Sequence, residues 1–199
     1  MTTTIYAAST GPKYETILAW IGRGRRVLDV GCGAGAFTAR IAEHNEVVGV
    51  EADQANWRIA SEKANVILGT FPDVVPDGRF DVVLLADVLE HMHDPGSALD
   101  KARAIADEVI VNVPNFDCVV AKAQRAVGIK QTDTGILDKT HVFYFNRRIA
   151  RQMLRDHGLE VVEFASPRPR RAPRWYKGLV TLRPELFGIQ LMYRCRVRE

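Results

Sequence analysis

The residues best suited to chemistry fall into a few short stretches. Asp29-Val30-Gly31-Cys32-Gly33-Ala34-Gly35 sets a carboxylate before three glycines at alternate positions. Such glycines permit positive φ and close backbone approach to a ligand. Alone, the turn also fits the loose dinucleotide pattern, or a simple tight strand-to-helix turn. Asp29 argues against a dinucleotide. A pyrophosphate would put two negative charges beside it, and unit charges a few ångströms apart interact by about 4 kcal/mol at an effective dielectric near 20. A ligand with cationic groups is favoured, and an NAD(P)-dependent oxidoreductase is disfavoured. Glu51 lies twenty residues after Gly31, at the end of an apolar run. A carboxylate there can accept both hydroxyls of a ribose, or it is a solvated acid at a strand end.

Two further stretches carry histidines. Asp87-Val88-Leu89-Glu90-His91-Met92-His93-Asp94 is the richest polar cluster, and Asp138-Lys139-Thr140-His141 is the second. Histidine titrates near neutral pH, so His91 and His141 are the candidate general bases. Each can equally serve only to hold its own loop. His91, His93 and Asp94 have metal-ligand side chains, but they make an ordinary solvated loop as well, and no metal is expected. Cys32, Cys118 and Cys195 are odd in number, far apart and form no ligand pair.

These groups need a scaffold. Residues 14–21 place Tyr14, Ile17, Leu18 and Ile21 at helical spacing, and Gly22 stops them. The apolar runs 27–30, 47–50, 66–68, 80–85 and 108–113 read as buried parallel strands. Helices are expected over 37–44, 54–64, 95–106 and 147–158, with either Asp94 or Asp100 capping parts of the third. Strands follow at 159–164 and 189–197. Alternating strands and helices imply an α/β, Rossmann-like, seven-stranded, mostly parallel sheet with helices on both faces and an antiparallel last strand. In such sheets the ligand crevice lies at the carboxyl ends of the strands. Residues 115–142 are long for a connection, which suggests an insertion or lid.

The 199 residues fit a single domain, 1–199. No apolar run reaches the roughly 20 residues of a membrane helix, and the start Met1-Thr2-Thr3-Thr4-Ile5-Tyr6 lacks a signal-peptide pattern. A cytoplasmic protein is expected. Net charge is only +3, too little to suggest nucleic acid. The charge is uneven: from Ser166 onward nine basic residues face two acidic ones, against 18 basic and 22 acidic before it. The basic segment at about 166–187 carries Arg168, Arg170, Arg171, Arg174 and Lys177 beside Trp175 and Tyr176. It reads as a solvated loop, or as a surface for an anionic acceptor or a peripheral membrane contact. Its prolines make a long helix over 167–173 unlikely.

Together these stretches resemble one family. Residues 27–35, Val48-Gly49-Val50-Glu51-Ala52-Asp53, and Phe80 through His91 followed by Asp94-Pro95 are similar to successive motifs of the class I S-adenosylmethionine (SAM)-dependent methyltransferases. The resemblance covers roughly 14–164. It implies SAM as cofactor and S-adenosylhomocysteine as product. The implied cofactor contacts are Tyr14, Asp29, Gly31, Cys32, Gly33 and Gly35, then Glu51 and Ala52, then Thr70 and Phe71, then Ala86 and Asp87. Thr70 departs from relatives that carry an Asp near this position for the adenine amino group. Asp138-x-Thr140-His141-x-x-x-Phe145 resembles a segment bordering the acceptor pocket in bacterial methyltransferases of glycans, quinones or natural products. The implied activity is methyl transfer to an oxygen or nitrogen of a small-molecule, sugar or lipid-linked acceptor, by a monomer or homodimer. A non-catalytic SAM-binding partner protein on the same fold is the alternative.

Overall fold

The computed structural model describes residues 10–168 and 172–198. The amino-terminal residues read for a leader, and Arg170 and Arg171 of the basic segment, lie outside the described residues. The elements run α1 (Pro12–Ile21), β1 (Arg26–Val30), α2 (Ala36–Ala42), β2 (Glu46–Glu51), α3 (Gln54–Ser61) and β3 (Val66–Leu68). Then come β4 (Phe80–Ala86), a 3-10 turn (Leu89–His91), α4 (Pro95–Ile105), β5 (Ala106–Pro114) and α5 (Val119–Ala126). The chain closes with α6 (Arg147–Asp156), β6 (Leu159–Ala165), α7 (Arg174–Leu182), α8 (Pro184–Phe187) and β7 (Gln190–Val197).

The described residues form a seven-stranded sheet in the order β3-β2-β1-β4-β5-β7-β6. β7 runs antiparallel to both β5 and β6, and the other pairs are parallel. This is the expected sheet. The inner parallel strands β1, β2, β4 and β5 are buried on both faces, which explains why they read as apolar runs. Successive side chains alternate between two cores. Leu28, Val30, Val48, Val83 and Leu85 join Leu99 of α4 and Leu154 of α6. Val27, Val47, Val82 and Leu84 join Ile17 and Trp20 of α1 and Ile41 of α2 on the other side.

The strand order reverses between β1 and β4, so the crevice opens beyond their carboxyl ends. Register places Val30 beside both Val50 and Leu85. Asp29 lies one residue before that level, Glu51 one residue beyond it and Asp87 two beyond it, all at the carboxyl end of the sheet.

Asp94 caps α4, its carboxylate accepting from Ser97 N at 3.2 Å, which decides between the two expected capping residues. The 115–142 segment is not simply irregular. It carries α5 and a small core of Cys118, Ala121 and Leu137. Helices α7 and α8 occupy most of the basic segment, where the sequence reading placed no helix. No helix of the described residues is long and apolar enough to cross a membrane.

Gly35 starts α2 with φ 74°. A Cβ there would lie 2.8 Å from the Ala60 backbone Cα, so space and conformation both demand glycine. Gly35→Ala is expected to destabilise the protein by about 2 kcal/mol or more, read as a lower urea midpoint with unchanged slope.

Candidate active site

The glycine turn between β1 and α2 separates two cavities. The first, about 150 Å³, is lined by Tyr14, Asp29, Gly31, Cys32, Gly33, Ala86 and Asp87, together with Lys13 and Phe37. The second, about 310 Å³, is lined by Gly31, Ala52, Thr70, Phe71 and Asp87, together with His91 and Met92. Gly31 and Asp87 border both, so the cavities form one bent crevice around the turn. A Cβ at Gly33 would meet no protein atom within 4 Å, which leaves the backbone there open to a ligand.

Two carboxylates sit under the turn. Asp29 is 4% exposed and accepts from Thr38 Oγ1 at 2.7 Å. Burial, with the Glu51 charge adding to it and the Thr38 hydroxyl opposing, pushes its pKa up to about 7. Glu51 is also buried. Its Oε2 accepts from Gly33 N at 2.7 Å, and its Oε1 from Asp53 N at 2.8 Å. Each oxygen keeps a lone pair for another donor. Glu51 thus fixes the turn's shape as well as lying behind the crevice. Gly35 and Glu51 are not among the residues lining the two cavities; Gly35 shapes the turn, and Glu51, 8% exposed, supports it from the adjoining strand end.

The sequence reading missed Lys13 and Asn112. Lys13 Nζ makes a short ion pair with Asp87. Burial works against the Lys13 charge, but the Asp87 carboxylate and Tyr14 beside it raise the ammonium pKa above its ordinary value. Asn112, fully buried on β5, donates to Asp87 Oδ1 at 2.6 Å, and its carbonyl accepts from Asp87 N at 2.9 Å. These contacts hold Asp87 at φ 57°, a left-handed conformation rare outside glycine. Lys13 carries no sequence signal that sets it apart from a solvated lysine. Asn112 had one: a polar residue inside an otherwise apolar strand.

The structure brings the two candidate histidines together, though fifty positions separate them in sequence. Their ring centroids lie 5.0 Å apart, edge to face. Val142 N and Phe143 N both donate to Glu90 O, at 2.9 and 3.0 Å, and pin the second segment onto the 3-10 turn. His91 Nδ1 faces Thr140 O, and His141 Nδ1 faces Ile136 O, each at 3.2 Å. A carbonyl only accepts, so both Nδ1 atoms carry the proton and both Nε2 atoms present a lone pair. Burial and the neighbouring His91 lower the His141 pKa. Burial opposes charge on Asp138, but the Thr140 hydroxyl and N–H and the two histidines bring its pKa below the ordinary carboxylate value. His91 borders the crevice; His141 stands behind it. Asp94 is spent on its helix cap, so it does not join His91 and His93 in a cluster.

Comparison with known proteins places this geometry. Residues 6–164 match a family described as a methyltransferase domain. The chain belongs to the class I SAM-dependent methyltransferases. Solved structures share the fold. A SAM-dependent methyltransferase from Archaeoglobus fulgidus superposes with a TM-score of 0.66 at 18% identity, covering 92% of this chain and 91% of that one. A magnesium protoporphyrin IX methyltransferase from Synechocystis, with bound S-adenosylhomocysteine, gives 0.69 at 17% identity, covering 94% and 82%. Curated relatives include a ubiquinone biosynthesis O-methyltransferase of Bradyrhizobium diazoefficiens, 34% identical over 41% of this chain and 36% of its own length. One from Azorhizobium caulinodans is 32% identical over 53% and 43%. The matches span less than half the length of these curated relatives.

The Asp29 environment yields a stability prediction. Ionising Asp29 inside the fold costs roughly 4 kcal/mol more than in water. Its folded pKa stands above the 3.8 of an unperturbed aspartate. Its stabilising contribution is therefore full below pH about 4 and is lost as pH rises to about 7. Asp29→Asn removes that loss. Without cofactor, the variant's thermal midpoint is expected to fall less than the parent's between pH 5 and pH 8. Parallel pH curves would refute the assignment.

Proposed function

We propose that the chain catalyses methyl transfer from SAM to an oxygen of a small or lipid-linked acceptor. The observation that carries this reading is the buried pair Asp29 and Glu51 beneath an open glycine turn. SAM brings an ammonium and a sulfonium, and either cation relieves the uncompensated negative charge there. A pyrophosphate would worsen it. We assign Asp29 to the ammonium of the methionine part, in the cavity that Tyr14, Cys32, Gly33 and Ala86 also line. The remaining lone pairs of Glu51 suit the ribose hydroxyls. Ala52, Thr70 and Phe71, in the other cavity, are assigned to the adenine. Thr70 offers the base an uncharged hydroxyl.

The methyl group of SAM is already activated, so the protein's main task is alignment. Asp87, locked by Lys13 and Asn112, borders both cavities and fixes the wall between them. An oxygen acceptor must also lose its proton. The basic groups at this edge are the Nε2 atoms of His91 and His141, and we place the acceptor there. Relatives named O-methyltransferases support oxygen over nitrogen as the accepting atom.

Helix α7 supports a lipid-linked acceptor met by a cytoplasmic enzyme at a membrane face. Trp175 and Leu182, seven positions apart and so on one helical face, are 69% and 74% exposed. Arg174, Lys177 and Arg183 accompany them. Exposed aromatic and aliphatic groups beside basic ones suit an anionic lipid surface.

Calorimetry with SAM, S-adenosylhomocysteine and NAD tests the cofactor. The first two are expected to bind and NAD is not, and Glu51→Ala is expected to weaken SAM at least tenfold. Binding of NAD without SAM would overturn the reading. Flotation with vesicles containing phosphatidylglycerol tests the surface. The parent is expected to float with them at low salt, and a Trp175→Ser, Leu182→Ser variant to stay behind. Equal flotation of both would remove α7 from the proposal.

A further inference from the structure

One buried acid at the site has no task in methyl transfer as described. Glu90 is 1% exposed, and its Oε2 finds no hydrogen-bond partner among the described residues. A carboxyl oxygen left so is costly unless something is meant to meet it. Its surroundings indicate what. One ligand atom each from Glu90, His91 and His141 falls within 4.8 Å of the others.

The two histidines are oriented as metal-binding histidines are. Metal-bound imidazoles usually donate their second nitrogen to a carbonyl or carboxylate, which fixes ring and tautomer. Here Thr140 O and Ile136 O take the two Nδ1 protons. In the neutral rings that leaves the Nε2 lone pairs for a ligand. The donor atoms around one ion, at bonds of about 2.1 Å, stand roughly 3–4 Å apart. Binding an ion would draw the three donors together by about an ångström. Glu90 and His91 are adjacent in the 3-10 turn, and His141 is tied to that turn through Val142 N and Phe143 N. The backbones that carry the three donors are therefore tied together.

We propose that Glu90, His91 and His141 form a binding site for a divalent transition-metal cation at the edge of the crevice. Two imidazoles and one carboxylate favour manganese, iron or zinc over magnesium. Three protein ligands leave coordination positions open, as sites that act on a substrate do. His91 borders the crevice, so those positions lie beside the space assigned to the acceptor. With the cation bound, the two Nε2 atoms would be its ligands instead of bases; a hydroxyl on the cation would release its proton more readily than a free one, to solvent water. That use rests on the methyl-transfer reading; binding of the cation does not. The sequence concealed the site, because spacing drew attention to His93 and Asp94 instead of Glu90 and His141.

The test is titration of the chelator-stripped full chain with Co²⁺, Mn²⁺ and Zn²⁺, followed by calorimetry and by the visible spectrum of bound cobalt. One equivalent is expected to bind, with a cobalt spectrum showing nitrogen ligation. His91→Ala and His141→Ala are each expected to weaken binding at least tenfold, while His93→Ala leaves it unchanged. His91 is exposed, so its variant keeps the fold even if the His141 variant does not. Absence of stoichiometric binding overturns the proposal, as does equal affinity in His91→Ala and the parent. SAM affinity is measured on the same stripped sample. SAM binding without metal binding sinks this inference alone, and metal binding without SAM binding sinks the methyl-transfer reading alone.

Discussion

The arrangement depends on keeping two carboxylates buried where strands β1 and β2 end. Parallel register brings Asp29 and Glu51 to the same end of adjacent strands, two residues apart in height, and the glycine turn is folded over them. Glu51 holds that turn by accepting from Gly33 N. Take away that bond and the turn loses its anchor to the neighbouring strand. Take away the left-handed glycines and the carboxylate has no amide to reach. The electrostatic cost of ionising Asp29 is the other side of the same arrangement, relieved by protonation or by a cation brought beside it. Under the proposed assignment of Asp29 to the SAM ammonium, stability of the free protein and cofactor affinity pull in opposite directions at one residue.

A second layer orders the rim. Asp87 adopts an unusual backbone conformation because Asn112 and Lys13 grip it from β5 and α1. Just beyond it, the 3-10 turn carries Glu90 and His91, and residues 142–143 lie against that turn by two amide bonds. The rim is thus assembled from three distant parts of the chain, each held by backbone hydrogen bonds as well as side chains.

Most of the sheet was legible in the sequence. Strands buried on both faces leave continuous apolar runs, and turns that need positive φ leave glycines. The crevice residues at strand ends followed from the same logic. Helices α5, α7 and α8 were not legible. They are short, they pack through few residues such as Ala121 and Val180, and α7 and α8 sit among prolines and arginines that read as loop. At the site, His91 and His141 stood out singly, but nothing in their spacing announced that they meet. Glu90 passed unnoticed because a glutamate beside a histidine ordinarily reads as solvated. Only its burial makes it unusual.

Helix α1 is fastened differently at its two ends. Ile17, Trp20 and Ile21 bury its second half in the core, whereas its first turn leans on the crevice through Lys13 and Tyr14. The inner end is dry and permanent; the outer end is held by a partly exposed charge pair that dissolved salt screens. The helix is thus anchored by packing at one end and by charge at the other. Salt screens a half-covered pair only in part, so rising ionic strength is expected to loosen the first turn of α1 while leaving its buried half in place.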